Sequence, residues 1–129
     1  MSTLRLTTIS NQTGSSSVPS DTVINGSAKA WVNFNGTGVT PIRASFNVSS
    51  MTDNGTGDYT LNFTTALTDA NYSLVNQINW ANSAFGATGR ASLIVSLTTS
   101  SARIRMGYLN TSVALVAEDQ DIVCVGIFR

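Results

Sequence analysis

The sequence predicts an all-β fold: an antiparallel β-sandwich, jelly-roll-like, of about eight or nine short strands. Three observations predict it. Asn-Gly-Thr-Gly occurs twice, at Asn35–Gly38 and Asn54–Gly57. Asn-Gly is a strong local hairpin signal, because both residues tolerate the positive φ of a type I′ turn. The segments around these turns alternate apolar and polar residues, the period of strands with one buried face. No amphipathic run of helix length interrupts the series.

The elements follow in order. Residues 3–9 alternate, with Leu4 and Leu6 against Arg5 and Thr7, and predict a first strand. Residues 10–27 are rich in Ser, Gly, Asn and Pro. They predict either a surface loop or an extended arm that reaches a neighbour. Residues 1–27 thus stand apart from a sandwich domain over 28–129. In that domain Ala30–Phe34 is a strand, with Val32 and Phe34 on one face and Trp31 and Asn33 on the other. Thr40–Met51 is expected as one strand, with Ile42, Ala44, Phe46 and Val48 inward and Arg43, Ser45 and Asn47 outward. Tyr59, Leu61 and Phe63 share an inward face. Tyr72, Leu74, Asn76, Ile78 and Trp80 form the next. Arg90–Leu97 is a strand, and Ala102, Ile104, Met106 and Tyr108 make another inward face. Val113–Ala117 is short. Asp121–Phe128 is almost continuously apolar, which predicts burial on both faces, against the core and against a second subunit.

Composition narrows function. The chain has 129 residues, enough for one domain with its own core. Formal net charge is zero, and charged residues are only 11% of the chain. No basic patch marks a nucleic-acid or membrane partner. A surface so poor in charge suits contacts with other subunits, where unpaired charge is costly. No transmembrane run or secretory signal is visible, so synthesis in a cytoplasm without export by a secretory signal is expected. The single cysteine, Cys124, lies in the apolar terminal run and reads as a buried, inert thiol.

Catalysis is poorly supplied. There is no His, hence no common base for a Ser or Cys nucleophile. Asp53 and Asp58 flank the second Asn-Gly turn and read as side-chain caps of turn backbone. Glu118, Asp119 and Asp121 cluster without the spacing of a calcium loop, so they read as a solvated turn. No enzyme activity, cofactor or metal is expected. Arg103 and Arg105 face away from Ile104 and Met106, either solvated or at a subunit interface. Residues 81–89 form a loop bracketed by aromatics. Asn79, Trp80, Asn82 and Phe85 are candidate receptor contacts, since an aromatic ring beside amides can stack on and hydrogen-bond a sugar. The other reading makes Trp80 a strand-end core residue.

The middle stretch resembles bacteriophage virion structural proteins of the tail-fibre and surface-knob type. The matching residues are Ala28–Gly36, Ile42–Ser50, Asp53–Tyr59, Asn62–Thr64 and Asp69–Tyr72, with Val123–Phe128 similar to the closing strand. The resemblance implies a non-enzymatic virion component, often a homotrimer, whose partners are itself and other virion proteins. With the similar block starting at residue 28, the expectation is a short fibre, a knob or a capsid decoration subunit. The alternative is a lectin-like module of a tail fibre recognising host-surface glycan through residues 79–89.

Overall fold

The computed structural model describes residues 3–79 and 89–129. Among the described residues, eleven strands and one short helix follow one another. β1 (Thr8–Ser10), β2 (Ser17–Pro19) and α1 (Ser20–Gly26) form the arm. The sandwich holds β3 (Ala28–Phe34), β4 (Ile42–Phe46), β5 (Val48–Gly55), β6 (Asp58–Phe63), β7 (Ser73–Ile78), β8 (Gly89–Leu97), β9 (Ser101–Leu109), β10 (Leu115–Ala117) and β11 (Val123–Phe128). Every pairing is antiparallel. The front sheet runs β4-β3-β11-β7. The back sheet runs β8-β9-β6-β5, with β10 beside the far end of β9. The expected sandwich is therefore present, and the order interleaves the last strand between β3 and β7.

The core lies between the sheets. Val32, Phe34, Val123, Val125 and Ile127 come from the front, and Tyr59, Leu61, Phe63, Ile104 and Met106 from the back. All are inward by alternation. Each such side chain, once fully buried, contributes about 1.5–3 kcal/mol. Phe34 meets Tyr59 edge-on across the layers, with ring centroids 5.2 Å apart, and Phe63 meets Tyr72 at 6.0 Å. These geometries match the ring quadrupoles.

Two expectations need correction. Thr40–Met51 is not one strand. Asn47 adopts φ 54° and breaks it into β4 of the front sheet and β5 of the back sheet. Asn tolerates that left-handed conformation. Its side chain also replaces ladder bonds: Nδ2 donates to the carbonyls of Lys29 and Thr65, each at 3.1 Å, and Oδ1 accepts from Thr65 N–H at 2.8 Å. The corner inverts the facing of Ala44 and Phe46, and a register shift against Asn33 and Phe34 restores that of Ile42. Ile42 and Val48 stay inward, whereas Ala44 and Phe46 point to solvent.

The second correction concerns the arm. Its first strand is only Thr8–Ser10, and residues 10–27, expected as loop or extended arm, contain a second strand and a seven-residue helix. Ile9 pairs across the hairpin with Val18. Pro19 precedes the helix with φ −57°, already suited to its start. A helix this short falls below the window in which periodicity is readable. The turns differ as well. Positive φ falls on Gly38, Gly55 and Gly57 and not on Asn35 or Asn54, so neither turn is type I′. Asn35 Oδ1 instead accepts from Thr37 N–H at 2.9 Å, and Asp53 Oδ1 from Gly55 N–H at 2.8 Å.

Replacing Asn47 separates its two contributions. Asn47→Ala loses both the side-chain bonds and the tolerance of positive φ, and is expected to lower the unfolding free energy by about 2–4 kcal/mol. Asn47→Gly keeps the backbone tolerance and should cost about 1 kcal/mol less. Urea unfolding checks the order: an equal loss in both variants would refute the strain contribution.

Candidate functional site

Of the four candidate receptor contacts, one lies among the described residues, Asn79. Trp80, Asn82 and Phe85 lie outside the described residues. Asn79 follows β7, where its N–H donates to the Ile122 carbonyl at 3.1 Å and its Nδ2 donates to the Asp121 carboxylate. Its Oδ1 is buried with no hydrogen-bond partner among the described residues. Asn79 is thus tied to the entry of β11.

The acidic residues are drawn into structural bonds. Asp119 accepts from Gly57 N–H at 2.7 Å and from the Tyr59 hydroxyl. That hydroxyl also lies 2.7 Å from the Gly36 carbonyl, so its one proton is shared between two acceptors. Gly36 N–H donates in turn to the Gln120 carbonyl at 2.7 Å. Both Asn-Gly-Thr-Gly turns are therefore fastened to the segment ahead of β11. Glycine is required at both points of approach. A Cβ on Gly57, already at φ 65°, would lie 2.3 Å from the Met106 carbonyl. One on Gly36 would lie 2.8 Å from the Gln120 carbonyl. Burial and the Asp119 carboxylate both push the Tyr59 phenol well above its ordinary pKa, which keeps it a proton donor.

On the outer side of the back sheet, Asp58 takes two guanidinium groups. Arg103 binds it in a fork, at 2.8 and 2.9 Å, and Arg105 approaches at 3.0 and 3.3 Å. The Arg103 hydrogen bonds hold the Asp58 carboxyl below its ordinary 3.8 against the opposing effect of burial. Asp58 is therefore no turn cap, although Asp53 is. The C-terminal acids are not a solvated turn either. Glu118 pairs with Arg90 and accepts from Gln120 Nε2 at 2.7 Å, while Asp121 holds Asn79. Among the described residues no group of three or more His, Cys, Asp or Glu could hold a metal. The cluster works as a lock between turns.

The outer face of the front sheet is different in kind. Phe46 pairs with Trp31, Trp31 with Gly126 and Gly126 with Val75, making one row across four strands. Ala44, Asn33, Cys124 and Gln77 form the next row. None of these residues carries a formal charge. Phe46 is 55% exposed and Trp31 39%. With no side chain on Gly126, a shallow groove of about 460 Å³ opens between Trp31 and Val75, with Asn33, Gln77 and Cys124 beside it. Charge stands at the rim: Lys29 turns back onto the Ile24 carbonyl, and Arg43 donates to Asn33 Oδ1 at 3.4 Å and to the Phe34 carbonyl at 3.3 Å. An apolar centre with a basic rim is interface composition.

Cys124 corrects an expectation, being exposed rather than buried. It alternates with Val123 and Val125, which fill the core, so it must face out. The expected double burial of the terminal strand is likewise halved within one chain. The sequence signal for this face was the outward pair Trp31 and Asn33. Phe46 was missed because the corner at Asn47 was not visible.

Compared with known proteins, the chain matches no family model, no curated sequence and no solved structure. Among the described residues no helix is long and apolar enough to cross a membrane.

Two outcomes follow from the lock and from Asp58. Tyr59→Phe leaves Asp119 and the Gly36 carbonyl short of a donor and should cost about 1–3 kcal/mol in urea unfolding, with the fold retained. An unchanged midpoint would mean the hydroxyl contributes nothing. Because Asp58 is more acidic folded than unfolded, its ionised form stabilises the fold. That contribution is complete above 3.8 and is lost as pH falls through the lower folded value. Stability should therefore drop below about pH 4, and Asp58→Asn should flatten part of that drop. Parallel pH profiles for both chains would contradict the assignment.

Proposed function

We propose that this chain is a non-enzymatic structural subunit of a tailed-phage virion, a short fibre, knob or capsid decoration protein that acts by assembling with copies of itself and with other virion proteins. The observation that carries the reading is the uncharged outer face of the front sheet, with Trp31 and Phe46 half-exposed in one paired row. A sheet face that stays in water normally alternates to polar residues. Here the two central outward rows are aromatic, aliphatic, amide or thiol, and contiguous apolar surface of this kind marks an interaction site.

Three further features agree. The acidic groups are committed to structural bonds, and the Tyr59 phenol is held protonated, which suits a rigid component. The arm carries Leu4, at 82% exposure, and Ile24, at 58%, outside the sandwich core. The resemblance of the segments between Ala28 and Tyr72, and of Val123–Phe128, to virion fibre and knob proteins supports the same reading and a homotrimer.

Light scattering of the purified chain tests this. The native chain is expected to have the mass of an oligomer, and Trp31→Asp with Phe46→Asp should reduce it to a monomer while leaving far-ultraviolet circular dichroism unchanged. Both residues lie outside the core, so the fold survives the change. A monomeric native chain, or an oligomer indifferent to the two substitutions, would overturn the role given to this face.

A further inference from the structure

We infer that Phe46 of one chain fills the groove over Gly126 of a second copy. The inference rests on the assembly reading and names its contact.

The floor of the groove is a glycine inside a central strand. Gly126 lies in β11, which is paired on one side by β3 and on the other by β7. Glycine weakens a strand interior, and there it often marks a place where another group approaches closely. The backbone does not require it, since the φ of Gly126 is outside the left-handed region. Packing within the chain does not require it either. The nearest neighbours of an added Cβ would be side-chain atoms, the Phe128 ring at 3.3 Å and Val75 at 3.4 Å. What the glycine does is keep the space between Trp31 and Val75 open.

The lining decides what fits. Trp31, Val75, Cys124 and Gly126 carry no charge, and Asn33 and Gln77 add only amides. An ion entering would lose water without gaining an opposite charge. A flat apolar ring would instead pack against the Trp31 indole. The same sheet displays such a ring. Phe46 is 55% exposed and stands on β4, at the sheet margin. It does not reach the groove of its own chain: Trp31 lies between it and Gly126 in the row, and two strand spacings, about 10 Å, separate them. Ring and groove are therefore complementary only between copies.

The two patches occupy opposite sides of one face, the ring on β4 and the groove toward β7. Contact between unlike patches of identical chains is heterologous, and it generates a ring when the rotation closes. This is compatible with a homotrimer, whereas Phe46 packed on Phe46 would give a two-fold dimer and leave the groove empty.

Replacing the contact by an ion pair tests it. Phe46→Lys should turn the oligomer into single chains in light scattering, and Val75→Glu, at the groove wall, should do the same. Both side chains are about half-exposed, so far-ultraviolet circular dichroism should stay native. In the chain carrying both substitutions, every contact would set the new ammonium beside the new carboxylate, and the oligomer should return. High salt should dissociate that oligomer and spare the native one. As a milder second variant, Phe46→Ala should weaken assembly by about tenfold to a hundredfold. An oligomer that survives either charged substitution, a double variant that stays monomeric, or unchanged assembly of Phe46→Ala would overturn the groove contact. The chain with Trp31→Asp and Phe46→Asp then shows whether the face still assembles in another way. A monomeric native chain would bring down both readings.

Discussion

The structure depends on the way Tyr59 joins the two sheets. Its ring lies edge-on against Phe34 of the front sheet, and its hydroxyl ends between the Gly36 carbonyl and Asp119. One buried side chain thus fixes the layer packing, the β3–β4 turn and the segment that leads into β11. Asp119 extends the tie to Gly57, at the β5–β6 turn. A phenol held protonated by burial, against a carboxylate that can only accept, is a directed pair in a site with little water to compete. With this end closed, β11 enters between β3 and β7, and the outward row Phe46, Trp31, Gly126 and Val75 is aligned.

That alignment separates the two outer surfaces of the sandwich. The back sheet carries Asp58 with Arg103 and Arg105, a buried carboxylate between two part-exposed guanidinium groups. The front sheet carries rings, amides and a thiol, with its cations held at the rim. The exposed guanidinium groups keep the back surface charged, and they neutralise the buried Asp58 carboxylate. Among the described residues no such ion pair lies in the two central rows of the front sheet, and the proposed assembly uses that surface.

Much of the sandwich was legible in the sequence. Tyr59, Leu61 and Phe63, or Ala102, Ile104 and Met106, are inward because a strand alternates and nothing interrupts it. The reading failed where one residue changed the register. Asn47 could have been an ordinary outward strand residue. Its left-handed backbone is favoured because Lys29 of β3 and Thr65 meet its side chain there with three hydrogen bonds, and both are distant in sequence. The fate of Phe46 followed from that corner. Cys124 was misread for a related reason: an apolar run looks buried on both faces, but one chain can cover only one. The acids show the same limit, since Asp58 and Asp119 each bond to residues far along the chain. Trp31, by contrast, could be placed outward from its neighbours alone.

The central claim is that this domain functions through subunit packing on its front sheet. A cryo-EM reconstruction of the intact particle tests it most directly. The account predicts density for this chain on the virion, with Trp31 and Phe46 buried against a neighbouring subunit and the Arg103–Asp58–Arg105 surface in solvent. Density in which the front sheet faces solvent and the ionic surface makes the contacts would contradict it.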